Sequence, residues 1–465
     1  MERSPDLQID HLSGYNRSLT IVALLGLFVF FLSGWAARTD FLSLIIPYLL
    51  ATFCYLILIL SQKTIREVHM LIKAGFLIRI SLFFFLPNLS DDVYRFWWDG
   101  TLLDHGINPF SQTPSEIIAS DISPGLKDKL TPVFSLLNSP DYRTVYPPWS
   151  QFTCSLAARI AGSDLIFFSA ILKFLVLASD LLFNFSVLGI LRRLNMDIKN
   201  VLIFFLNPLT LLELNGNLHF ESWMISLLAL SILIWMNGGK KLASIALGAS
   251  FLSKMISAIS LPFFLSRRTP IKKTVGFLLL FLILSASILF MIPFKADSLQ
   301  GYALYFKIFE FNSSLYFFLR EWAERYQWWA FKQATGMITL VLFLIFFLTT
   351  SLHSFWTSVH PAKFNFRSAW WVWFAFLILS STVHPWYILP LLFLGIFSYP
   401  ITSVFWSLFV FVSYLHYDIR MEGNFHLFRI AEYGLLLIIL LWEVGFFTKI
   451  IHKMSNRPDK VCALK

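Results

Sequence analysis

Run after run of about twenty apolar residues, the length a helix needs to cross the hydrocarbon of a bilayer, constrains this chain more than any other feature. Strong candidates lie near 19–37, 41–61, 70–88, 165–190 and 274–293, and more follow near 334–350, 368–384, 386–399, 400–416 and 427–446. Two regions are irregular: 200–237 reads as a helical pair broken at Asn215-Gly216-Asn217, and 242–265 is apolar with Lys254 in its middle. A chain of 465 residues that is 57% hydrophobic and 14% charged, with a mean hydropathy of +0.68, is too apolar for a soluble protein of that size. The expected fold is all-α, a single polytopic transmembrane bundle over 1–465 with about 12 crossings. The first run is longer than a signal-peptide core and lacks a convincing cleavage site, so it reads as a retained span. The chain shows no fixed-period repeat and no low-complexity segment.

The net charge of +10 does not point to nucleic acid, because the basic residues form short clusters between apolar runs rather than a stripe on a soluble domain. They read as orientation signals. Lys63 and Arg66, Arg192, Arg193 and Lys199, Lys240 and Lys241, Arg267 to Lys273, Lys363 and Arg367, and a basic tail over 447–465 mark the cytoplasmic side, with both termini on it. The longest hydrophilic loop, 89–147, then lies outside. It holds Asp91, Asp92, Asp99, Asp104, Glu116, Asp121, Asp128 and Asp141 against Arg95, Lys127, Lys129 and Arg143. Two segments strain the count. Reading 147–162 as a full span would push Arg192 and Arg193 outside, so a helix entering part-way is expected, and 242–265 reads as a hairpin of two half-helices. Cys54, Cys154 and Cys462 lie far apart, with neither a disulfide framework nor metal-ligand spacing, and read as packing residues.

The chemistry concentrates in Ser90-Asp91-Asp92-Val93-Tyr94-Arg95-Phe96-Trp97-Trp98-Asp99-Gly100, directly after the third apolar run. If 91–100 is helical, Asp92 and Asp99 share a face with Arg95 between them. Two adjacent acids beside a membrane suit a pair in which one stays ionised as a general base while the other positions a partner. A plainer reading has Asp91 capping the helix and pairing with Arg95. The remaining polar punctuation falls on the same side: Glu213, Asn215, Asn217, His219 and Glu221, then Lys295 to Arg325 with Phe311-Asn312-Ser313-Ser314, then His384-Pro385-Trp386-Tyr387, then His416 to His426. A solute carrier places such groups at mid-depth and often has two related halves. Their gathering at one face favours chemistry or binding on a lipid-borne substrate. A transporter or flippase of lipid-linked glycans is the alternative, and a non-catalytic assembly subunit a third reading.

The order of these motifs resembles the GT-C class of polytopic glycosyltransferases. The resemblance rests on Asp91 to Gly100, Gly106-Ile107-Asn108-Pro109-Phe110, Tyr146-Pro147-Pro148, Asn207-Pro208, Glu213 through Glu221, Phe311 to Leu315 and His384 to Tyr387, and runs from about residue 70 to 390. The chain is most similar to the bacterial and archaeal mannosyltransferase-like members that use polyprenyl-phosphate sugars, and more distantly to GPI-anchor mannosyltransferases. Where relatives often read G-N-G-H-N-E, this chain keeps His219 and Glu221 and has Phe220 between them.

The resemblance implies an inverting transfer of a hexose, with mannose favoured, from a polyprenyl-phosphate donor to a hydroxyl of a glycan or lipid acceptor. The site would lie on the outer face of the membrane, the plasma membrane if the source is bacterial. Asp91 or Asp92 would be the base, with a slight lean to Asp91. Arg95 first, then Lys254 and Arg320, are candidates for a cation that stabilises the leaving phosphate; snorkelling explains Lys254 equally well. Tyr94, Asp99, Asn217, His219, Glu221, His384, Trp386 and Tyr387 would bind substrate, and Trp97 and Trp98 could stack on sugar or prenyl chain. No metal or other cofactor is required, although the adjacent acids could hold Mg²⁺ or Mn²⁺.

Overall fold

The computed structural model describes residues 5–290, 309–358, 360 and 363–455. The segment 295–308 of the expected outer stretch, and the part of the basic tail from 456 on with Cys462, lie outside the described residues. Within them the chain is a succession of helices, with one isolated bridge between Phe311 and Thr382.

Helices α1 (Pro5–Gly34) and α2 (Phe41–Leu60) show how these apolar runs are used. In α2 the buried residues Leu44, Tyr48, Ala51, Tyr55 and Leu58 recur at helical spacing, while Leu42, Ile46, Leu49 and Phe53 on the opposite side are exposed. A helix that exposes such residues as freely as it buries them belongs in lipid. At one end of its twenty residues Asp40 pairs with Arg420 at 2.7 Å, and at the other Lys63 donates to Ser18 at 2.8 Å. The two ends are therefore about 30 Å apart, one hydrocarbon thickness.

Helix α3 (Ile65–Ser81) starts from a capping box between Thr64 and Glu67 and tightens into a 3₁₀ turn at Leu82–Phe84. Lys173, buried on α8 (Leu165–Arg193), donates to the terminal carbonyls of Leu82 and Phe85 at 2.7 and 2.6 Å. Arg79, fully buried, donates to Asp180 of α8 at 2.9 Å and to the carbonyls of Gly75 and Phe205. Between these helices the acidic loop folds into α4 (Asp92–Asp104), α5 (Pro114–Ala119), α6 (Pro124–Phe134) and α7 (Pro148–Ala161), with its own apolar core around Trp97, Trp98, Leu130 and Phe168.

Among the described residues, six helices are long and apolar enough to cross a bilayer, or seven if the bent pair Pro208–Gly216 and Glu221–Met236 counts as one span, against the dozen expected. The difference lies in runs that the structure divides. Met255–Phe264, Phe366–Leu379 and Pro385–Gly395 are apolar helices of 10–17 residues. The expected break at Asn215-Gly216-Asn217 is present, as a π-helical turn over Leu211–Gly216 followed by Leu218 at φ 64° and a bend of 113°. At Lys254 the helix Lys240–Ser253 ends in one extended residue before a 3₁₀ helix, Met255–Phe264. The 147–162 region is the fourteen-residue α7, about 21 Å long, shorter than a span. Cys54 and Cys154 are buried free thiols.

Helix α7 presses against α4 at Gly100, where an added Cβ would lie 2.4 Å from the Cys154 carbonyl oxygen. The obstacle is backbone, so it yields only if a helix shifts. Gly100→Ala is predicted to cost about 1–3 kcal/mol through overpacking, read as a lower melting temperature in detergent; an unchanged melting temperature would show that the two helices are not held this closely.

Candidate active site

The turn Leu89–Asp92 and the start of α4 form the centre of the site. Ser90 Oγ accepts from the Asp92 amide at 3.3 Å, and Tyr94 N–H donates to the Asp91 carbonyl at 3.2 Å. Asp91 stands at the N-cap position without capping through its side chain. Its carboxylate instead meets Arg38, from the α1–α2 loop, at 2.7 Å. Arg38 also lies 4.6 Å over the Tyr417 ring. Asp92 Oδ2 lies 3.8 Å from His219 Nδ1. The Asp91 and Asp92 side chains keep 33% and 22% of their surface exposed, against 2% for Asp99, so two of the three motif acids can meet a substrate.

Arg95 and Asp99 belong to the scaffold. Arg95 is buried, pairs with Asp99 at 2.8 Å, and donates to the carbonyls of Tyr142 and Ser139 at 2.9 and 3.4 Å. Gln151 of α7 donates to the other Asp99 oxygen at 3.1 Å. The face expected to join Asp92, Arg95 and Asp99 thus divides between an open end and a sealed one. Neither half of the plainer reading forms: Asp91 does not cap and does not pair with Arg95. Trp97 and Trp98 are buried, Trp97 donating to the Gly162 carbonyl at 3.1 Å, and Tyr94 is half-buried against the same core. They are packing groups here rather than open platforms.

His219 reaches Asp92 because the chain reverses after the π-helical turn. In that turn Glu213, fully buried, accepts from Tyr414 Oη at 2.7 Å and from Asn217 at 3.1 Å, and lies 3.3 Å from His219 Nε2. Asn217 Oδ1 accepts from the Leu89 amide at 3.4 Å, tying the turn to the acidic loop. Asn215 donates to Asp180 at 2.7 Å, so the buried Arg79–Asp180 pair also anchors it. The His219 ring stacks on Trp386 at 3.7 Å, Trp386 on His384 at 4.4 Å, and His384 on Phe311 at 4.7 Å. Three chain segments distant in sequence thus meet in one aromatic column.

Beside this column Lys254 forms an ion pair with Glu221 and lies 4.6 Å over the Tyr387 ring. All three line a cavity of about 250 Å³ whose walls are mostly apolar, among them Leu340, Phe343 and Phe376 from the helices Trp329–Thr357 and Phe366–Leu379. Arg320 stands elsewhere, with Glu310, Glu321 and Glu324 at 2.6, 2.8 and 3.3 Å. Among the described residues, no group of three or more His, Cys, Asp or Glu side chains is placed to hold a metal ion.

The family model described as "Alpha-(1->6)-mannopyranosyltransferase, N-terminal domain" matches residues 13–268, more than half of the chain and all of the acid, His219 and Lys254 elements. The chain belongs to this family. The resemblance to polytopic mannosyltransferases is therefore borne out. Alpha-(1->6)-mannopyranosyltransferase A of Mycobacterium tuberculosis (strain ATCC 25618 / H37Rv) is 24% identical over 179 residues, covering 38% of this chain and 33% of that protein. The chain thus matches about a third of the length of that family member. No solved structure matches the chain.

Sequence reasoning missed Arg38, Arg79, Lys173, Asp180 and Tyr414. Arg38 had a signal, a base in a loop on the acidic side against the orientation rule. Arg79, Lys173 and Asp180 had a stronger one, as ionisable residues inside apolar runs. The burial contrast yields a prediction: Asp99→Asn, which strands a buried Arg95, should cost about 3–5 kcal/mol, whereas Asp91→Asn, losing a partly exposed pair, should cost about 1 kcal/mol or less. Thermal unfolding of both variants in one detergent checks this; equal losses would place Asp91 in the scaffold as well.

Proposed function

We propose that this protein transfers mannose from a polyprenyl-phosphate carrier to the hydroxyl of a glycan or lipid acceptor, with inversion, at the outer face of the membrane. The observation that carries the reading is the position of the open Asp91–Asp92 pair. It lies next to His219, whose ring column leads to Tyr387 and Lys254 at the head of an apolar cavity. A polyprenyl phosphate needs both parts, apolar walls for the chain and a cation for the phosphate. The reading places both termini on the cytoplasmic side, takes the shorter apolar helices to complete the expected crossings in tandem, and calls for no cofactor in the reaction.

The acceptor oxygen attacks the anomeric carbon from the side opposite the phosphate. A new C–O bond forms as the bond from that carbon to the phosphate oxygen breaks, and the phosphate departs with the electron pair. A carboxylate takes the hydroxyl proton. Arg38 already occupies Asp91 at 2.7 Å, which turns the choice towards Asp92, with the Asp91–Arg38 pair fixing the turn that presents it. Lys254 exchanges Glu221 for the phosphate and stabilises the charge that develops on it. Ionisable groups deeper in the bundle, Arg79, Lys173 and Asp180, are bonded internally, which supports catalysis at one end over passage of a solute.

Membranes carrying the wild type should move label from a radiolabelled polyprenyl-phosphate mannose to an endogenous acceptor. Asp92→Asn should reduce that transfer about 10²-fold or more, the usual worth of a general base, at an unchanged protein level. Wild-type-like transfer by both Asp92→Asn and Asp91→Asn would remove the acid pair from the mechanism, and no transfer by the wild type from any lipid-linked hexose would sink the enzymatic reading.

A further inference from the structure

The cations around the acid pair are paired: Arg38 with Asp91, Arg95 with Asp99, and Lys254 with Glu221. Arg143 differs. The residue is 9% exposed, and neither Nε nor Nη1 has a hydrogen-bond partner among the described residues. Holding two guanidinium nitrogens out of water without partners is costly, and buried polar groups without partners are rare enough that each calls for an explanation.

Its place in the chain supplies the account. The carbonyls of Ser139 and Tyr142, on one side of it, accept from Arg95, one turn into the helix that Asp92 begins. On the other side Thr144 Oγ1 accepts from Gln151 at 3.0 Å, and the neighbouring Ser150 hydroxyl donates to the carbonyl of Ser253 at 3.4 Å. Ser253 precedes Lys254. The stretch from Ser139 to Ser150 therefore bridges the acid helix and the lysine at the head of the apolar cavity, and Arg143 stands in the middle of that bridge. A planar guanidinium with two unsatisfied nitrogens suits the oxygens of a phosphate, which it can bind with more than one hydrogen bond.

We propose that Arg143 binds the phosphate of the lipid-linked donor, sharing with Lys254 the charge of the leaving group. This rests on the lipid-phosphate reading of the site. Arg95, which sequence spacing favours for that role, is committed to Asp99; Arg143, 48 positions later, carries the unused charge.

The test uses the full chain in lipid nanodiscs, with thermal unfolding followed in the presence of a short-chain polyprenyl phosphate, the matching neutral polyprenol, or inorganic phosphate. The wild-type melting temperature should rise with the polyprenyl phosphate alone. Arg143→Gln should melt at or above the wild type without ligand, because a buried unpaired charge is gone, and should lose the rise; Arg143→Lys should regain part of it. Arg143→Gln that keeps the full rise, or that melts below the wild type without ligand, overturns the inference and leaves the donor reading standing. A wild type that responds equally to polyprenol, or to none of the three, overturns the donor reading and the inference with it. An equal response to inorganic phosphate overturns the lipid as the source of the anion.

Discussion

Arg79 of α3 and Asp180 of α8 meet 2.9 Å apart, both buried, in a bundle whose outer surface is apolar. In that setting neither charge has water to fall back on, so each must satisfy its remaining capacity from the protein. Arg79 does so with the Gly75 and Phe205 carbonyls and Asp180 with Asn215. The last bond matters most, because Asn215 lies in the π-helical turn that carries Glu213 and leads through Asn217 to His219. An ion pair between two long helices thus sets the register of the short irregular segment that faces the acid pair. The extra residue of a π turn, a feature often found at functional sites, is held from beneath by charges that cannot leave.

The site is built where loops meet, and each loop is supported by a rigid element. The Arg38 loop joins α1 and α2, the acid turn opens α4, the His219 turn breaks a helical pair, and the His384–Tyr387 segment begins a 3₁₀ turn. Contacts between them are few and specific: an ion pair, a hydrogen bond from the Leu89 amide to Asn217 Oδ1, and the ring column from His219 to Phe311. The apolar cavity opens from the same end, so the groups able to move a proton lie next to those able to hold a long hydrocarbon chain. This juxtaposition is what the proposed lipid-linked donor requires.

Polar punctuation in an otherwise apolar chain is conspicuous, and this made much of the site legible before the structure. Asp91, Asp92, His219, Glu221, Lys254, Trp386 and Tyr387 stand out because charge, amide or imidazole interrupts a hydrophobic run, and the structure brings them to one end. The partners were not legible. Helical spacing offers Arg95 to Asp91 and to Asp99 equally well, and only the fold shows that Arg38, 53 residues before Asp91, claims the first and leaves Arg95 to the second. Trp97 and Trp98 look like interface aromatics by composition, yet they are the core of the loop domain. The number of crossings was not legible for a related reason: hydropathy does not distinguish a helix that spans lipid by itself from a shorter apolar helix within the bundle, such as Phe366–Leu379 or Met255–Phe264.

The central claim is that one end of the bundle holds a lipid phosphate against the acid pair. A structure of the protein in a nanodisc with a non-transferable polyprenyl-phosphate sugar analogue tests it most directly. The account predicts the phosphate at Lys254, the chain in the cavity between the helices Trp329–Thr357 and Phe366–Leu379, and the sugar facing Asp92. A lipid phosphate bound at the opposite end, beside Lys63, or an analogue that leaves that cavity unfilled, would contradict it.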